Sequence, residues 1–206
     1  MTAITANQFP NLPVQDYLQI RPMLRTGDIL LCASNQWLSS PISIGTQSPW
    51  THVGLVVVLD KPKKVLLLES TASQGCRAVP LSHYMQNYNG EAGKSYPGGL
   101  VVARHHQPLD SPQQAEMTHK GMSLLGSKYD WCEIMGIAAR ILAQRLLRQS
   151  IQARAIDDKY ICSEFVEYCF RAAGIQLNYN AKGFISPKDF NQTNGFNCLA
   201  VLQAKP

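Results

Sequence analysis

This sequence has no long apolar run, no closely paired cysteines and no dense block of positive charge, and each lack removes a class of protein. No segment approaches the length of a membrane span, and the opening "MTAITANQFPNLPVQDYLQI" has neither the basic start nor the continuous apolar stretch of a secretory signal. A cytoplasmic protein is therefore expected. The six cysteines (Cys32, Cys76, Cys132, Cys162, Cys169 and Cys198) lie far apart, without a CxxC pair or a Cys/His spacing that suits zinc. In a reducing compartment they read as six thiols, and no metal or other cofactor is expected. The formal charge is +5, but no Lys/Arg cluster of nucleic-acid-binding density occurs. Nor is there an internal repeat or a low-complexity tract.

With 206 residues and 45% hydrophobic content, the chain can bury one substantial core, and residues 1–206 read as one domain. Residues 1–26 read as a polar leader and a short helix stopped near Pro22. "GDILLC" (Gly27 to Cys32) has the short apolar run of a buried strand. "SNQWLSSPISIGTQSPWT" reads as a loop, while "HVGLVVVLD" and "KVLLLES", broken by "KPK", read as a β-hairpin. A further strand is expected at Gly98 to His105. "SPQQAEMTHKGMSLLG" then has a Ser-Pro helix start and ends at Gly126. A helical segment follows around 131–158, and "CSEFVEYCFRAAG" makes a compact helix closed by Gly174. "CLAVLQA" reads as an added edge strand. Strands first and helices afterward argue for an α+β fold, an antiparallel sheet with helices gathered on one side.

The one concentration of positive charge is "RILAQRLLRQSIQAR", with Arg140, Arg145, Arg148 and Arg154 in a helical pattern. The first reading is a solvated helix face, with Ile134, Ala138, Ile141 and Leu142 turned to the protein body. The second is a weak membrane-surface contact through Arg140–Arg154.

"KYICSEFVEYCF" puts Cys162 where a helix begins. Its spacing with Phe165, Val166, Cys169, Phe170 and Ala173 is that of an apolar stripe, which favours a buried sulfur. The helix start argues the other way, because unpaired N–H groups and aligned peptide dipoles act like about half a positive charge and favour thiolate over thiol. A cysteine hydrolase also needs an imidazole, which protonates the leaving group after the thiolate attacks. Among the five histidines, His52 opens a strand directly after "SPWT" and shares a strand face with Gly54 and Val56. A small residue beside the ring leaves room for a helix or substrate. Glu69 is the only carboxylate of "KVLLLES". With a four-residue loop from Asp60 to Lys63, Leu59 pairs with Lys64 and Gly54 faces Glu69. Glu69 is then the diagonal neighbour of His52 on one face, roughly 7 Å away between backbones. A loop one residue longer or shorter puts Glu69 on the opposite face. A strand-end histidine and a solvated carboxylate remain the alternative.

Taken in order, "GDILL", "SPWTHVGLV", "LLLES", "GSKYD", "YICSEFV" and "ISPKDF" resemble the YiiX-like branch of the permuted NlpC-type papain-like cysteine hydrolases over about residues 25–190. The resemblance implies a circularly permuted papain-like fold, an antiparallel sheet or partial barrel with helices packed on one side. It also implies that the histidine and its polar partner come first on adjacent strands and the cysteine later, at a helix N-terminus. The matching positions are His52, Glu69 and Cys162. Tyr129 in "GSKYD", Tyr160 and Ser163 then fall at substrate-binding positions, and Asp28 at a structural one. The activity implied is hydrolysis of an amide in a small peptide or peptide-like substrate through an acyl-enzyme on Cys162. Two alternatives remain. A lipid or thioester acyl hydrolase or acyltransferase would use the same triad, and a non-catalytic ligand-binding module would need none of it. Substrate and oligomeric state are not legible.

Overall fold

Among the described residues seven strands form one open sheet: β1 (Val14–Asp16), β2 (Ile29–Ala33), β3 (Trp50–Leu59), β4 (Lys64–Thr71), β5 (Gly75–Pro80), β6 (Gly99–His105) and β7 (Phe196–Gln203). Their order across the sheet is β1-β7-β6-β2-β3-β4-β5. The computed structural model describes residues 12–33, 48–61, 63–128, 161–180 and 183–203. The segment expected to be helical around 131–158, including Arg140–Arg154, lies outside them, as do Tyr129 and Tyr160.

The central strands are apolar on both parities because both faces of the sheet are covered. Ile29, Leu31, Val53, Leu55, Val57 and Leu68 join one core with Phe165, Val166, Cys169 and Phe170. Leu30, Cys32, Val56, Val65 and Leu67 join a second core with Tyr17, Ile20, Leu81 and Tyr84. Each such side chain taken fully out of water contributes about 1.5–3 kcal/mol. The first face carries the two longer helices, α3 (Ser111–Ser123) and α4 (Cys162–Ala172). The second is covered by single turns, α1 (Tyr17–Ile20) and α2 (His83–Gln86).

Local chemistry fixes the helix ends. Asp110 caps α3 by accepting from Gln113 N, and the Gln113 side chain returns the bond to Asp110 N, with Pro112 in the first turn. Gly121 lets α3 lie close to the sheet, since a Cβ there would stand 2.8 Å from Leu68 Cδ2. α4 ends at a glycine in the left-handed region, Gly174 at φ 78°. Asp28, buried, accepts from both Arg104 Nε and Arg104 Nη2, tying the start of β2 to β6.

The α+β class, the hairpin and the α3 and α4 helices are as the sequence implies. One expectation about the sheet is corrected. The tail strand β7 is not at the edge, because β1 pairs with it in parallel, Val14 opposite Val201, and makes the sheet mixed. Beyond β4, the strand β5 forms the other edge, so among the described residues the sheet stays open.

Candidate active site

The β3–β4 connection determines which face Glu69 takes. Leu59 pairs with Lys64 and Leu55 with Leu68, the register of a four-residue connection. One step further along that register, Glu69 stands opposite Gly54 and diagonal to His52. The side chains meet: His52 Nε2 lies 2.6 Å from Glu69 Oε2. Glu69 is 0% exposed and His52 17%.

Glu69 has two further partners. Its Oε2 also accepts from Tyr84 Oη on α2 at 2.6 Å, and its Oε1 accepts from Arg77 Nε at 2.8 Å and Nη2 at 2.7 Å. Arg77 is the residue opposite Glu69 across β4 and β5. Burial alone would raise the Glu69 carboxyl, but the His52 hydrogen bond and charge, the Tyr84 hydroxyl and the Arg77 charge hold it below the usual range.

Cys162 is the first residue of α4 and 2% exposed. It packs in the core that includes Val53 and Leu55, whereas His52 and Glu69 follow the opposite strand parity. At the start of β3 Cys162 lies within hydrogen-bonding reach of the His52 ring that Glu69 holds. With Nε2 engaged by Glu69, Nδ1 is the ring nitrogen left for the sulfur. Burial works against a charged ring, but the hydrogen bonds to Cys162 and Glu69 and their negative charges push His52 up to about 10. The N-cap Ile161 makes no side-chain capping bond to the N–H groups of the first turn. Those of Cys162 and Ser163 have no acceptor within the helix.

Cys32 is the cross-strand neighbour of His52 and fully buried. Burial first, then the negative charges of Glu69 and Cys162, push its thiol well up, so it stays protonated beside the site. Burial also pushes up Cys76, Cys198 and Cys169, the last to about 12.

Ser163, expected at a substrate-binding position, is buried, and its hydroxyl donates to Ile185 O at 2.7 Å. It ties the start of α4 to the "ISPKDF" stretch, in which Ser186 N and Oγ both donate to Asp189 Oδ2. Gly54 is corrected. It leaves no open space beside His52, because a Cβ there would stand 2.8 Å from Leu67 Cδ1 and Cγ. The glycine admits the neighbouring strand's leucine. Sequence reasoning missed Arg77 and Tyr84, which the short strand β5 and the single turn α2 bring to the site.

An α+β sheet on which the imidazole precedes a helix-borne cysteine in the chain is the arrangement of a permuted papain-like hydrolase. The comparisons agree. Residues 23–135, more than half of the chain, match the family described as permuted papain-like amidase enzymes, YaeF/YiiX, C92 family, and the chain belongs to it. It is an enzyme of cysteine hydrolase type. The matched stretch contains His52 and Glu69 and stops before Cys162. The crystal structure of metalloprotein YiiX from Escherichia coli O157:H7 is 25% identical, with a TM-score of 0.51 over 74% of this chain and 68% of that one. No curated protein matches the chain. Among the described residues no group of three or more His, Cys, Asp or Glu is placed to hold a metal ion, and no step below uses one. No helix among them is long and apolar enough to cross a membrane.

Proposed function

We propose that the protein cleaves an amide in a small peptide or peptide-like substrate through an acyl-enzyme on Cys162. The observation that carries this is the His52 ring, held by Glu69 at 2.6 Å and with Cys162 within hydrogen-bonding reach. Cys162 gives its proton to His52 and attacks the carbonyl carbon as thiolate. The developing oxyanion is met by the N–H groups of Cys162 and Ser163 at the start of α4, which have no acceptor within the helix, each such donor worth about 3 kcal/mol. His52, as imidazolium, protonates the leaving amine as the C–N bond breaks. Water then attacks the thioester; His52 takes its proton and returns it to the departing sulfur. Glu69 keeps the ring oriented throughout.

The test is a panel of amides, esters and thioesters, with the acyl group trapped on Cys162 read by mass spectrometry. Amides should acylate the protein and release amine, and Cys162→Ala should abolish both. Acylation by thioesters or lipid esters alone would replace the amidase reading with the acyltransferase one.

A further inference from the structure

Glu69 is out of contact with water, so its charge has to be balanced at every stage of the reaction proposed above. While His52 is an imidazolium, the two neutralise each other. Once His52 has handed its proton to the leaving amine, Glu69 would stand as an isolated buried anion. Such a carboxylate either takes up a proton or makes His52 withhold its own. The first removes the acceptor that orients the ring. The second slows the acid step.

Arg77 meets this need geometrically. Both of its contacts fall on Oε1, the oxygen that His52 does not use, and a guanidinium stays charged at any working pH. It faces Glu69 directly across the β4–β5 ladder, and its side chain is only 21% exposed, so solvent screens the pair weakly. Tyr84 donates to Oε2 beside His52. Among the described residues, the ionisable groups around Glu69 are His52 from β3, Cys32 from β2, Arg77 from β5, Tyr84 from α2, and Tyr88 and Tyr96 from the segment after it. Burial holds Cys32 and all three tyrosines in their neutral forms. Besides His52, Arg77 is therefore the one cation among them.

We propose that Arg77, assisted by Tyr84, is a positioning residue for the reaction: it holds Glu69 ionised and aimed at His52 while the His52 proton is away. The moving proton then belongs to His52 alone. This rests on the reading of Cys162 and His52 as nucleophile and acid–base.

The test follows the His52 Cε1–H signal by NMR across pH in the full chain, assigned with His52→Asn. Arg77→Met should raise the midpoint of His52 deprotonation by about one pH unit or more, a roughly tenfold tighter hold on the proton. Arg77→Lys, which keeps the charge, should undo at least half of that rise. Tyr84→Phe removes a donor but no charge, and should raise the midpoint by less. An unchanged midpoint in folded Arg77→Met overturns the proposal. Should that variant not fold, Tyr84→Phe carries the test, and no rise in it has the same force. Failure of the hydrolase reading shows elsewhere, in a His52 midpoint that Cys162→Ala does not lower.

Discussion

Two buried carboxylates pair with arginines on this sheet, and they do different work. Asp28 accepts from Arg104 Nε at 2.7 Å and Nη2 at 2.9 Å and from Arg25 N at 2.8 Å, while Arg104 also donates to Met23 O. Every one of those donors is permanent, so the pair latches the 21–28 segment to β6. Glu69 has an arginine too, but its second oxygen is turned to a histidine. The chemical difference is one titratable partner. A buried acid–arginine pair is a fastening until a ring that can lose its proton shares the carboxylate.

The comparison breaks most visibly at the ring. His52→Ala should slow formation of the acyl-enzyme about 1,000-fold, the usual weight of a positioned general acid–base. Arg104→Met, measured per folded molecule, should change it less than about twofold. Equal losses in the two variants would mean that His52 is structural.

Glu69→Gln comes next. It keeps the shape and removes the charge that helps push His52 up to about 10, so the His52 midpoint should fall toward the ordinary imidazole range. Acylation should drop about 100-fold, measured in the same single-turnover assay, because a misoriented ring still retains part of its function. Asp28→Asn should leave that assay untouched and act on stability instead. Breaking a buried pair by removing one partner costs about 3–5 kcal/mol, but Arg104 is 28% exposed and can recover some hydration, so about 2 kcal/mol is expected in chemical denaturation.

The parts of the site that could be read from sequence were those fixed by parity. The hairpin runs "HVGLVVVLD" and "KVLLLES" are strongly apolar, so the meeting of His52 with Glu69 followed on condition that the connection held four residues, which the register bears out. The choice of these residues as a triad came from the family resemblance. Arg77 could not be read from sequence, because "GCRAVP" is short, half-buried and ends in Pro80, which hides it as a strand. Tyr84 sits in a single helical turn too brief to show periodicity. The position of β7 was misread for a related reason: its outer neighbour β1 is three residues long. Ser163 follows Cys162 directly. On a helix the next residue points about 100° away, and here that direction is Ile185 O.

The smallest effect sharpens the comparison through pH. His52 is raised in the folded protein to about 10 from an unfolded value near 6.5. A group raised on folding contributes stability that is complete below its unfolded value and is lost as pH climbs through its folded one. Above pH 6.5 the unfolded chain binds fewer protons than the native protein, so stability falls with pH, by at most about 1.4 kcal/mol per unit for one proton. The clean window is pH 7–8. Below it His105, lowered by burial and by His106, contributes with the opposite sign, and above it the raised thiols of Cys32, Cys76, Cys169 and Cys198 add losses of their own. Within it, and with Cys162 replaced by Ala so that no sulfur proton is exchanged for the His52 one, urea denaturation should show up to about 1 kcal/mol lost between pH 7 and pH 8. His52→Ala should flatten that slope, and Asp28→Asn, less stable throughout, should keep it. A slope that survives His52→Ala would place the titrating group elsewhere and leave the Glu69 cluster as fixed as the Asp28 pair.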